Sequence, residues 1–133
     1  MSKVYWIDRG WQPVHLGFCP NKKAWDAVME ELKIKDPPPY PIADGCTQYI
    51  CNETTGDAII LVTLNRDDKD LLSIIGLVAH EAVHVFDRIC EHINEDEPSE
   101  EFKAYSIQMI IMELLEAWRK TRRKGDIFGK SIS

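Results

Sequence analysis

The pattern of apolar positions divides the chain into four pieces, each with its own elements. Residues 3–18, KVYWIDRGWQPVHLGF, are aromatic and mixed, and predict a short strand. After Pro20, Ala24, Trp25, Val28, Met29 and Leu32 recur at helical spacing, with Asn21 placed to cap the helix. The stretch DPPPYP at 36–41 ends it, because proline lacks the amide that helices and central strands need. Two strand-forming runs follow, Cys46 to Glu53 and Ala58 to Asn65, separated by the turn residues TTGD. They predict a hairpin whose second strand is buried on both faces or packed under helices. A helix from Asp67 or Asp68 to about Ile93 is apolar over most of its circumference and reads as the central buried helix. The acidic NEDEPSE breaks it. A second long helix then runs from a Ser99 cap to Gly125. Strands and one helix followed by two long helices predict a small α+β domain over residues 1–124, with a short flexible tail at 125–133.

Composition narrows the classes. A chain of 133 residues, 44% apolar, has the size of one domain. The four cysteines form no CxxC and read as free thiols. The opening MSKVYWIDRGW has no apolar signal-peptide core. The longest apolar stretch, 71–89, is broken by His80, Glu81, His84, Asp87 and Arg88, so no membrane partner is expected. A cytoplasmic location is the expectation. Charge is unevenly spread. Residues 119–133 carry six cations against Asp126, a net +5, which leaves −11 on the rest of a −6 chain. The basic 119–124 segment suits a helix C-terminus better than nucleic acid, given the acidic body.

The chemistry concentrates in VAHEAVHVFDRI, residues 78–89. His80 and His84 are four apart on a helix, so both imidazoles face one way and can reach one Zn2+ ion at about 2.1 Å each. Glu81 completes HExxH and supplies a carboxylate for the attacking water. On an otherwise apolar helix, buried polar groups need partners. A pair of core histidines satisfied by hydrogen bonds leaves Glu81 unexplained. A catalytic zinc takes three protein ligands. The longer pattern HExxHxxGxxH is excluded, because Asp87 and Cys90 stand at its glycine and histidine positions. His92 reaches the site only if the helix breaks early. Glu97, Glu100 and Glu101, at the start of the last helix, are the other candidates, and adjacent Glu100 and Glu101 point about 100° apart. Asp87, near the histidine face, reads either as an outer partner of a ligating histidine or as a solvent-exposed charge.

HEAVH followed by EFKAY resembles the gluzincin metallopeptidases, in pattern the group of the CAAX prenyl proteases and the small soluble minigluzincins. The compact arrangement is also similar to small phage-encoded metallopeptidase-like proteins. The resemblance covers about residues 70–110. It implies a zincin-like domain with two long antiparallel helices carrying the metal site, and a third ligand from an ExxAD-like motif. Carried over, that ligand is Glu101, with Ala104 as the small residue. Tyr105 stands where the family has aspartate. Tyr105 shares the Glu101 face, as do Ala104 and Gln108, and is a candidate to steady an oxyanion, or else a core aromatic. The expected function is that of a zinc peptidase. His80, His84 and Glu101 hold the metal, Glu81 activates the water, and a peptide or protein substrate pairs with an edge strand. The alternatives are a catalytically silent zinc-stabilised binding module and, behind it, a nucleic-acid-associated factor acting through 119–124.

Overall fold

A computed structural model describes residues 3–8, 10, 13–65 and 70–122. Four strands and three helices follow in the order β1 (Tyr5–Trp6), β2 (His15–Cys19), α1 (Lys22–Glu31), β3 (Gly45–Cys51), β4 (Ala58–Leu64), α2 (Leu71–His92) and α3 (Glu100–Thr121). The architecture is a small α+β fold with one mixed sheet in the order β1-β2-β4-β3. β3 and β4 form the expected hairpin, antiparallel from Gly45↔Leu64 to Cys51↔Ala58. Its turn is built by Asn52, whose side chain accepts from the amides of Thr54 and Thr55. Gly56 takes a φ of 78°, open to glycine at no steric cost.

The expected single strand over 3–18 divides into β1 and β2. β2 pairs parallel to β4, His15↔Ile59 through Cys19↔Thr63. That pairing explains why every residue of β4 is buried. Its side chains alternate between two cores. Ala58, Ile60, Val62 and Leu64 face α2 and α3, while Ile59 and Leu61 face α1. α1 is capped by Asn21, which accepts from the amide of Ala24. The proline segment after it is tied down by Trp25, whose Nε1 donates to the carbonyl of Pro38 at 3.0 Å.

The second core holds the long helices. Asp70 caps α2 and Ser99 caps α3. Ile74, Val78, Ala82, Val85, Phe86 and Ile89 of α2 join Ile110, Leu114, Ala117 and Trp118 of α3 in one cluster under the sheet. Phe86 and Phe102 meet ring to ring at 5.8 Å, which sets the register between the helices. α3 ends at Thr121, four residues before the expected stop at Gly125, with Arg122 as its C-cap. The expected tail at 125–133 lies outside the described residues.

Thr63 is wholly buried in β4, and its Oγ1 meets no hydrogen-bond partner among the described residues. A hydroxyl removed from water without a partner opposes folding. Thr63→Val keeps the shape and removes the polar atom. It should raise stability by about 1 kcal/mol in thermal or urea unfolding. A lower midpoint would show that the hydroxyl is bonded after all.

Candidate functional site

α2 carries the site because two faces of one helix meet different surroundings there. Its core face packs on β4 and α3. The flank bearing Glu81 packs under β3, one of the two edge strands of the sheet. The next flank, bearing His80 and His84, is exposed. The i, i+4 spacing brings the two imidazoles together as expected. Nε2 of His80 and Nε2 of His84 are 3.2 Å apart, with ring centroids at 4.9 Å.

That separation is informative. Two imidazole nitrogens on one tetrahedral zinc, each about 2.1 Å from it, lie roughly 3.4 Å apart. The pair fits as two zinc ligands. The same distance also suits one N–H···N hydrogen bond between the rings.

Glu81 is 3% exposed and, with Thr63, is one of two buried polar side chains among the described residues. Its Oε1 accepts a hydrogen bond from Thr47 Oγ1 of β3 at 2.8 Å. Its Oε2 lies against Gly45, where an added Cβ would stand 2.9 Å away. Gly45 and Glu81 share an open cleft of about 510 Å³ with Asp44, Ser73, Gly76, Leu77 and His80. Gly76 leaves the cleft wide on the α2 side, with nothing within 4 Å of where its Cβ would be. The neighbouring Cys46 thiol is pushed up, first by burial and then by the charge of Glu81, which makes it a poor nucleophile. The Cys19 thiol is pushed up to about 11, chiefly by burial.

The other expected site residues do not gather here. Among the described residues, no group of three or more His, Cys, Asp or Glu side chains is placed to hold a metal ion. Glu101 is exposed in the first turn of α3. The Phe86–Phe102 contact puts that turn level with the part of α2 beyond His84. At 1.5 Å per residue, Phe86 is already about 9 Å along the axis from His80. Glu97 and Glu100 are exposed as well. His92 is engaged elsewhere, its Nδ1 2.9 Å from the hydroxyl of Tyr49 on β3. Asp87 is half-buried and has no hydrogen bond to either histidine; the Cys90 thiol is pushed up first by burial and then by the charge of Asp87. Tyr105 is 64% exposed and lines a different cavity of about 390 Å³ with Phe86, Phe102 and Met109. Its hydroxyl is not in the cleft of His80 and Glu81.

Of the basic segment, Arg119 and Lys120 both pair with Glu116, and Arg122 lies over the Trp118 ring at 4.3 Å. Lys120 also lies over the Tyr5 ring of β1 at 5.8 Å, and positions 123 and 124 of the segment lie outside the described residues. Among the described residues, no helix is long and apolar enough to cross a membrane.

Two site residues were missed in the sequence, Thr47 and Gly45. The one available signal was a glycine at the head of a strand, which often marks a close approach of another group. Comparison with known proteins adds no assignment, since no protein-family model, curated protein or solved structure matches this chain.

Proposed function

We propose that this chain is a zinc-dependent hydrolase acting on amide bonds, with a peptide or protein as substrate. The observation that carries the reading is the pairing of the His80 and His84 Nε2 atoms at 3.2 Å beside a buried, hydrogen-bonded Glu81 at an open cleft. Two histidines on an exposed face need no carboxylate one residue on. A carboxylate held out of water at the edge of a cleft suits proton transfer, which needs a fixed base near the reacting atoms.

His80 and His84 would hold the metal through Nε2, and Glu101 is the proposed third ligand, reaching the metal only if the first turns of α3 move towards the cleft. When bound, zinc acidifies a water towards pKa 7 and polarises a carbonyl. Glu81 takes the proton of the attacking water and passes it to the leaving amine as the C–N bond breaks. The outer edge of β3, unpaired among the described residues, runs beside this helix flank, and an extended peptide can add to it through main-chain hydrogen bonds. Tyr105 joins the reaction only if the first turns of α3 move towards the cleft.

Glu101→Ala should weaken zinc binding at least about tenfold, and Glu100→Ala should leave it near the parent value, as read by competition with a chromophoric chelator. Equal affinity of the Glu101 variant and the parent would remove Glu101 from the ligand set. One observation favours a second reading. Among the described residues only His80 and His84 stand together, which suits a zinc-stabilised binding module without turnover. Peptide-library cleavage by the zinc-loaded protein, read by mass spectrometry, separates the two. Products that vanish with Glu81→Gln support the hydrolase, and no products from the parent support the module.

A further inference from the structure

A carboxylate has two oxygens, and the two oxygens of Glu81 are treated differently. Oε1 is fixed, 2.8 Å from Thr47 Oγ1. The same hydroxyl oxygen is 3.3 Å from the main-chain carbonyl of Glu81. One threonine therefore touches both the backbone and the tip of this residue, 34 positions away in the chain. Oε2 accepts no hydrogen bond from any described residue. It lies instead over the bare Cα of Gly45 and opens on the cleft that Gly45, Gly76 and His80 line.

We infer that Thr47 is the positioning residue for Glu81: its hydroxyl ties Oε1 so that Oε2, admitted by Gly45, stays free to accept a proton in the cleft. The inference rests on the proposed role of Glu81 as base. A purely structural partner would serve best by satisfying both oxygens, since an unmet lone pair on a buried carboxylate is costly. The arrangement satisfies one and leaves the other towards the cleft. Residue 45 has little freedom, because a side chain there would occupy the space of Oε2, with Glu81 Cδ and Cγ at 3.4 Å behind it. Strand β3 thus contributes two things: an edge unpaired among the described residues and a cradle for the base.

The test uses the full chain and three variants. Thr47→Val keeps the shape and removes the donor. Thr47→Ser keeps the donor. Gly45→Ala pushes on Oε2. The first readout is the Glu81 carboxyl 13C resonance in zinc-free and zinc-loaded protein, assigned by its loss in Glu81→Gln. Thr47→Val and Gly45→Ala should shift it towards the signals of exposed glutamates, and Thr47→Ser should keep it in place. The second readout is cleavage of a mixed peptide library. Thr47→Val should lose about 10²-fold in kcat with KM nearly unchanged, the scale of a base displaced by about 1 Å. Thr47→Ser should recover most of that loss. A Glu81 resonance unmoved by Thr47→Val would overturn the inference, and so would a Thr47→Ser variant no more active than Thr47→Val. A parent that cleaves nothing would count against the hydrolase reading, while the resonance would still judge the Thr47 contact.

Discussion

Glu81→Gln should leave zinc bound and the fold intact while hydrolysis falls by about 10²–10⁴-fold, the usual size of lost general acid–base catalysis. Glutamine matches glutamate in size and still accepts the Thr47 hydroxyl through its carbonyl oxygen, so the contact at 2.8 Å can persist. What disappears is the basic oxygen towards the cleft. The variant removes proton transfer and little else. The expected pattern is a collapse of kcat, unchanged zinc affinity and a melting curve close to the parent's. Full-rate cleavage by Glu81→Gln would mean that Glu81 is a packing residue and that another group handles the proton. A large loss of stability with no effect on turnover would point the same way.

Much of the scaffold for this site was legible in the chain because it is written locally. Asn21 and the proline run bracket α1, TTGD marks the hairpin turn, and Ser99 stands where α3 starts, whereas the start of α2, read at Asp67 or Asp68, is capped by Asp70. The His80–His84 pair was legible for the same reason, since four residues on a helix fix direction without outside help. Non-local features were harder. Nothing near His15–Cys19 announces that it will lie parallel to β4, roughly 44 positions on, because that register depends on which faces α1 and α2 cover. Thr47 and Gly45 acquire their roles only when β3 crosses over Glu81, a contact with no periodic signature. Helix spacing placed Ala104, Tyr105 and Gln108 on the face of Glu101, but not the level of that face against α2. The level is set by Phe102 seating on Phe86, which lifts Glu101 past the histidines and puts Tyr105 in the apolar cavity.

The second large effect concerns the histidines themselves. His80→Ala or His84→Ala should abolish tight zinc binding, because a metal left with one imidazole has lost half of the assembled pair. Zinc that binds the folded chain alone adds RT ln(1 + [Zn]/Kd) to stability, about 4 kcal/mol at a thousandfold excess over Kd. For a chain of this size that corresponds to a melting-temperature rise of roughly 10 °C or more. The parent should show this rise with zinc and lose it with chelator. The two alanine variants should melt at one temperature under both conditions. Both histidines are exposed, so truncating either costs little packing, and the zinc-free variants should fold like the zinc-free parent. A zinc-dependent rise that survives in both variants would place the metal elsewhere in the chain.

Metal content is the most direct test of the central claim. Elemental analysis of protein purified without chelator should find about one zinc per chain in the parent and close to none in His80→Ala and His84→Ala. Parent protein that stays metal-free after incubation with zinc, or variants that retain a full equivalent, would contradict a zinc site built on His80 and His84.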